Sequence, residues 1–156
     1  SSDLQLLSTA HRVLDGVEFA GTSKTGRKKK SWVLNDGREL VLYQATHINH
    51  PSAVWARQSV ENYNWLVEHF FALGEEYTYR YGKVHKCLSG ELSYQLQSPP
   101  KNLTEYDMTT MPSAMAPEYV ISYDPVVNYR NYYKTAKAKM HSWKNRQPPE
   151  WIMNND

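Results

Sequence analysis

The chain has 156 residues with a formal net charge of +2 and 22% charged residues, a length that fits one domain with its own core. That balance excludes an acidic disordered chain and a histone-like polycation. One cysteine, Cys87, excludes an internal disulfide and a cysteine-based zinc site and favours a reducing compartment, while no signal peptide or bilayer-spanning apolar run is evident.

The first element read from the sequence is a helix. Ser2-Asp-Leu-Gln5 resembles a capping box, Leu4, Leu7, Val13 and Leu14 follow at helical spacing, and Gly16 closes the element. His11 falls on the apolar side, where a lone histidine reads as a satisfied core group rather than a ligand. Residues 20–30 are small, polar and then basic, which predicts a mobile loop whose Lys28, Lys29 and Lys30 form a flexible phosphate-seeking arm. The stretch Gly21 to Lys28 resembles a phosphate-binding loop only superficially, because it lacks the Lys-Ser/Thr ending, a preceding strand and a following helix. Two β-prone runs within 31–44 flank Asn35-Asp36-Gly37, a turn signal that predicts a hairpin there.

Residues 51–82 read as one long helix opened by Pro51. Trp55, Tyr63, Leu66, Phe70, Leu73, Tyr77 and Tyr81, with Val60, Val67 and Phe71, fill one apolar arc. Gln58, Asn62, His69, Glu76 and Arg80 form a stripe at its margin. An amide pair, an imidazole and an acid–base couple beside aromatic rings suit a lined pocket better than plain solvation. In that pocket Glu76 is the acid or base, His69 carries the proton, Arg80 clamps an anion and Asn62 reads the ligand. The bland alternative for Glu76 and Arg80 is an ordinary i,i+4 pair, and Arg57 with Glu61 is read as such a structural pair.

A further helix is predicted within 83–97, ended by Ser98-Pro99-Pro100. Residues 98–124 have no steady period and read as a long loop packed on the body or closing over it as a lid. Asp124-Pro125 opens the last helix, which is predicted to run to Pro148-Pro149, with Trp151 tucked back. Arg130, Lys134, Lys137 and Lys144 are its phosphate-binding residues, sharing a side with His141, while Tyr129 and Tyr133 lie on the aromatic side and join Trp55 as base-stacking candidates. His47, His50 and His85 lack a carboxylate cluster, so no metal or cofactor is expected, and Cys87 beside Lys86 lacks a visible third partner for nucleophilic work.

Four strings are also familiar as text: LLSTAHRVLDG (6–16), the run from Ala45 to His85, MPSAMAPEY (111–119) and the run from Tyr129 to Trp151. They resemble a poorly characterised family carried by large tailed phages, including T4-like viruses and cyanophages, whose members carry an additional upstream helix rich in His, Asp and Lys. The resemblance implies a protein at work in the cytoplasm of the infected bacterial host. A looser likeness is to the phage pyrimidine-dimer glycosylases, small basic helical proteins whose C-terminal Trp/Tyr/Lys segment touches DNA.

Together these readings predict a single domain over 1–156, mainly α, a compact helical body around one long central helix with a small β-hairpin. The expected partner is DNA or a nucleotide, with no membrane partner and self-association compatible. Two functions fit: base excision using Glu76 on a flipped-out base, or a counter-defence protein that sequesters a host nucleotide signal or blocks a host protein without catalysis.

Overall fold

The computed structural model describes residues 2–22 and 25–153. About half of the chain is helical, joined by one small antiparallel hairpin. Helix α1 spans Ser2–Asp15, and the hairpin follows as β1 (Val17–Thr22) and β2 (Lys28–Val33). Next come α2 (Arg38–Val41), α3 (Pro51–Ala56), α4 (Val60–Tyr81), α5 (Glu91–Gln95), α6 (Pro125–Lys134) and α7 (Glu150–Met153).

Leu4, Leu7 and Ala10 of α1 pack with Tyr63, Leu66, Val67 and Phe70 of α4, and Ala56, Leu34, Leu42, Leu96 and Leu103 complete the core. The i, i+3, i+4 spacing on both helices makes that shared face. α1 ends at Gly16 as its sequence predicts, and the position tolerates nothing larger. A Cβ there would sit 2.5 Å from the carbonyl oxygen of Arg12 and 3.2 Å from that of Val33, both rigid backbone. Gly16→Ala is therefore expected to lower stability by roughly 1–3 kcal/mol in urea unfolding, the usual cost of overpacking. At the other end of α1, Ser2 already lies inside the helix and its hydroxyl faces Asp3, so the predicted capping box is not formed.

The hairpin sits where the mobile loop was expected. Residues 20–22 and 28–30 are paired strand, with Ala20 opposite Lys30 and Thr22 opposite Lys28; Ser23 and Lys24, also in that expected loop, lie outside the described residues. Asn35-Asp36-Gly37 does not turn a hairpin. Asp36 Oδ1 accepts the amide of Arg38, an Asx-type turn that opens α2 instead.

The predicted helix over 51–82 is two helices with a break at Arg57–Ser59. Ser59 is extended and its hydroxyl caps the amide of Asn62 at 3.2 Å. The amides of Val60 and Glu61 are taken by the carbonyls of Glu105 and Tyr106, so the 98–124 segment satisfies donors that a helix start leaves orphaned. The first half of that long segment is thus tied to the body, with Leu103 in the core. The helix expected within 83–97 is reduced to a short 3-10 turn and α5, separated by Gly90 at φ 100°. α6 begins at Asp124, whose carboxylate caps Val126, as the sequence indicates. It stops at Lys134, where the Thr135 hydroxyl turns back onto the Asn131 carbonyl. Lys137 and Lys144 therefore do not continue its face, and no single cationic stripe exists.

Candidate nucleic-acid interface

The expected stripe on the long helix is divided among three places. Asn62 and Arg80 are about 27 Å apart along the helix axis at about 1.5 Å rise per residue, too far for one small ligand. Asn62 is fully buried: its Nδ2 donates to the Trp55 carbonyl at 2.9 Å and to Thr109 Oγ1 at 2.7 Å, and its Oδ1 accepts the Thr109 amide. Trp55 is buried as well and donates its indole N–H to the Thr109 carbonyl. These two residues clamp the 98–124 segment onto the helix break and offer nothing to a base. His69 stands a further two turns along, its ring stacked at 5.2 Å on Trp65 and its Nδ1 3.1 Å from Asp3. Gln58 meets the Thr109 hydroxyl, and Arg57 donates to the Ala53 carbonyl rather than pairing with Glu61. Burial depresses the affinity of Arg57 for its proton.

Among the described residues, it is the last part of the stripe, Glu76 and Arg80, that meets the C-terminal segment. Gly82, left-handed at φ 65°, ends α4, and Asn145, also at positive φ, turns the 141–146 segment back against it. Arg80 Nη1 donates to the Ser142 carbonyl, and the Asn145 amide donates to the Arg80 carbonyl, both at 3.0 Å. Glu76 is held between Arg80 at 2.6 Å and Arg146 at 2.7 Å. Those guanidiniums, Arg146 first, hold its carboxyl below the usual range, so it stays ionised at neutral pH. Cations here lie beside rings: Arg146 is 3.8 Å from the Tyr79 centroid, Lys144 4.9 Å from Tyr81 and Arg80 5.9 Å from Trp143. Tyr79 is 56% exposed and Tyr81 49%, which leaves ring surface open to solvent. A shallow cavity of about 530 Å³ opens between Tyr79, Asn145, Arg146 and Gln147.

The remaining predicted residues are scattered. The Tyr129 hydroxyl donates to the Pro112 carbonyl and accepts the Ala114 amide, so it is a tether for the long loop. Tyr133 is half exposed and stacks on His141 at 6.3 Å. Arg130 lies 5.6 Å over the ring of Trp151 and, with Lys134, lines an open cleft of about 530 Å³ that also holds Glu150. Trp151 does fold back, as its sequence position suggests. Lys137 sits over Tyr132, away from both groups.

A second polar cluster escaped the sequence reading. His11, 1% exposed, accepts from Arg38 at Nδ1 and contacts the Tyr63 hydroxyl through Nε2, both at 2.8 Å. Arg38 also binds Asp15 at 2.6 Å and grips Asp36 through both Nε and Nη2. An open cavity of about 510 Å³ lies over this network, edged by Tyr94 and Lys101. Its charges are mutually satisfied, and Lys101 adds a contact to Asp36 at 3.3 Å. The cluster locks α1 to α2, and four of the five Arg38 N–H donors are spent inside it. The only sequence signal for it was His11 on an apolar face, which identified the core half of the network and none of the charges.

Among the described residues, no group of three or more His, Cys, Asp or Glu is placed to hold a metal ion, and no helix is long and apolar enough to cross a membrane. Compared with protein-family models, curated proteins and solved structures, the chain matches none of them.

Proposed function

We propose that the chain is a phage-encoded DNA- or nucleotide-directed protein working in the cytoplasm of the infected host. Its binding surface in this proposal is the C-terminal end of α4, the spine of the helical body, with the segment folded onto it. The observation that carries it is the set of three cations, Arg80, Lys144 and Arg146, beside partly open rings of Trp143, Tyr81 and Tyr79. Such an edge attracts phosphate and offers aromatic faces to unstacked bases, the combination used by single-strand binders. Glu76 is the carboxylate held at this edge, and its ionised form suits stabilisation of positive charge developing on a sugar, as base excision requires. Trp55 and Asn62 have no part in this version, because both are consumed by packing.

Fluorescence anisotropy with a labelled single strand across a salt series tests it. Wild type is expected to bind with a log–log salt slope of about −2, from about three phosphate contacts at about 0.7 each. Arg146→Gln is expected to weaken binding severalfold and flatten that slope. Glu76→Gln, which keeps the shape, should abolish release of a base while sparing affinity. Loss of neither property removes Glu76 from the chemistry, and absence of salt-sensitive affinity in wild type sinks the whole reading. A nucleotide recovered unchanged from the purified protein by mass spectrometry would point instead to sequestration.

A further inference from the structure

The β1–β2 hairpin is a ribbon held out from the body. Trp32, 6% exposed, is its one buried residue and Ser31 is half-buried; every other described strand residue is exposed. The register sets Val17, Phe19, Gly21, Lys29, Ser31 and Val33 on one face and Glu18, Ala20, Thr22, Lys28, Lys30 and Trp32 on the other. Trp32 points into the protein, so the Phe19 face looks outward. Val17 and Phe19 on it are more than half exposed.

Two features make this arrangement costly for a ribbon that only solvates itself. A two-stranded sheet with one anchoring residue is marginal in water. Lys28 and Lys30 add like-charge repulsion two residues apart on one face, with Lys29 on the other, and one acid, Glu18, offsets it at Lys30, 2.8 Å away. Lys28 and Lys29 have no carboxylate within ion-pair distance among the described residues. A polyanion would relieve that repulsion. Its shape is constrained too: the major groove of B-form DNA admits a two-stranded ribbon, its phosphates flank the groove, and its floor offers thymine methyl groups to apolar side chains.

We infer that the β1–β2 ribbon is a docking element for duplex DNA, with the Phe19 face laid in the groove, Lys29 reaching phosphate oxygens from that face and Lys28 reaching them from the opposite face at the exposed end of the ribbon. The inference rests on the DNA-directed reading but concerns a second surface, distinct from the α4 edge. In place of the flexible arm expected from the sequence, the lysines are carried on paired strands that fix their spacing.

The test uses the full chain, a labelled duplex of about 20 base pairs and a single strand of the same length, each across a salt series. The double variant Lys28→Gln/Lys29→Gln changes exposed side chains only. It is expected to weaken duplex binding about tenfold or more near 0.1 M salt and to reduce the log–log slope by about 1.8, the value for two lost phosphate contacts. Single-strand binding should stay within about twofold, since the α4 edge is intact. Phe19→Ser is expected to weaken the duplex complex without altering the slope. If wild type binds both probes and the double variant is indistinguishable from it, the ribbon inference falls and the parent reading stands. If wild type binds neither, the parent reading falls with it. A wild-type dimer in sedimentation that the double variant or Phe19→Ser dissolves would overturn the nucleic-acid occupant in favour of a second copy.

Discussion

Arg12→Ala is expected to cost about 4 kcal/mol, a large fraction of the roughly 5–15 kcal/mol that keeps a typical domain folded. The guanidinium is completely buried, an unusual place for an always-charged group. Every part of it is used. Nε donates to the Tyr43 carbonyl at 2.6 Å, Nη1 to the Trp32 carbonyl and to Glu39 Oε2, and Nη2 to the carbonyls of Glu39 and Leu42. Glu39 in turn takes the Leu34 amide, which leads the influences that keep its carboxyl low, ahead of Arg12 itself. One side chain therefore ties α1 to the end of β2, to α2 and to the strand-like exit at residues 42–43. Truncation leaves buried carbonyls without donors and a carboxylate without its partner, which is dearer than the pair was worth. Arg12→Lys should recover only part of the loss, because an ammonium has three donors and no planar fork. Urea unfolding with an unchanged m-value measures it. A loss below about 1 kcal/mol for Arg12→Ala would show that the hub is incidental.

Which parts of this architecture were readable from the sequence follows from how local their causes are. The end of α1 at Gly16, the Asp124-Pro125 start of α6 and the core place of His11 depend on neighbouring residues or on one helical face, and all three are observed. The break at 57–59 depends on Thr109, far along the chain, which binds Asn62 and accepts from Trp55. Without that partner, the apolar period runs through the break unbroken. Asn35-Asp36-Gly37 failed as a hairpin signal because Arg38 recruits Asp36 into its own turn and then into the His11 network. The candidate site divides for the same reason. Side chains that share a helical margin on paper are drawn to different partners: Asn62 to the long loop, His69 to Asp3, and Glu76 to Arg146. Arg146 lies far from Glu76 in sequence, and a pairing that long-range leaves no local pattern.

The His11 network gives the second large effect, a loss of stability as pH falls from about 6.5 to about 4. Tyr63 donates its hydroxyl proton to the Leu96 carbonyl at 2.9 Å, so His11 Nε2 must supply the proton it shares with Tyr63. His11 Nδ1 is then the bare nitrogen that accepts from Arg38. An imidazolium would set an N–H against a guanidinium N–H in a dry site. Burial, and then the charge of Arg38, lower the His11 pKa from 6.5 to about 4, against weaker opposing help from Asp15. The native state thus refuses a proton that the unfolded chain accepts between those values. Protons bound only by the unfolded state pull the equilibrium toward unfolding, so the native advantage is complete above pH 6.5 and fades down to about 4. The whole step is about 3 kcal/mol, from about 1.36 kcal/mol per pKa unit. Asp15 and Asp36 against Arg38, Glu39 under the Leu34 amide and Arg12, and Glu76 between Arg146 and Arg80 are also held below the usual carboxylate range, and they add acid sensitivity that sets in at about pH 5 and grows below it. His11→Gln keeps one donor and one acceptor on a neutral side chain. Its stability should be lower than wild type at pH 7 yet nearly flat from about pH 6.5 to about 5, where wild type declines. Denaturant midpoints measured across that range in both proteins decide the matter: parallel pH profiles would mean that some other group titrates and that His11 is not the buried neutral base.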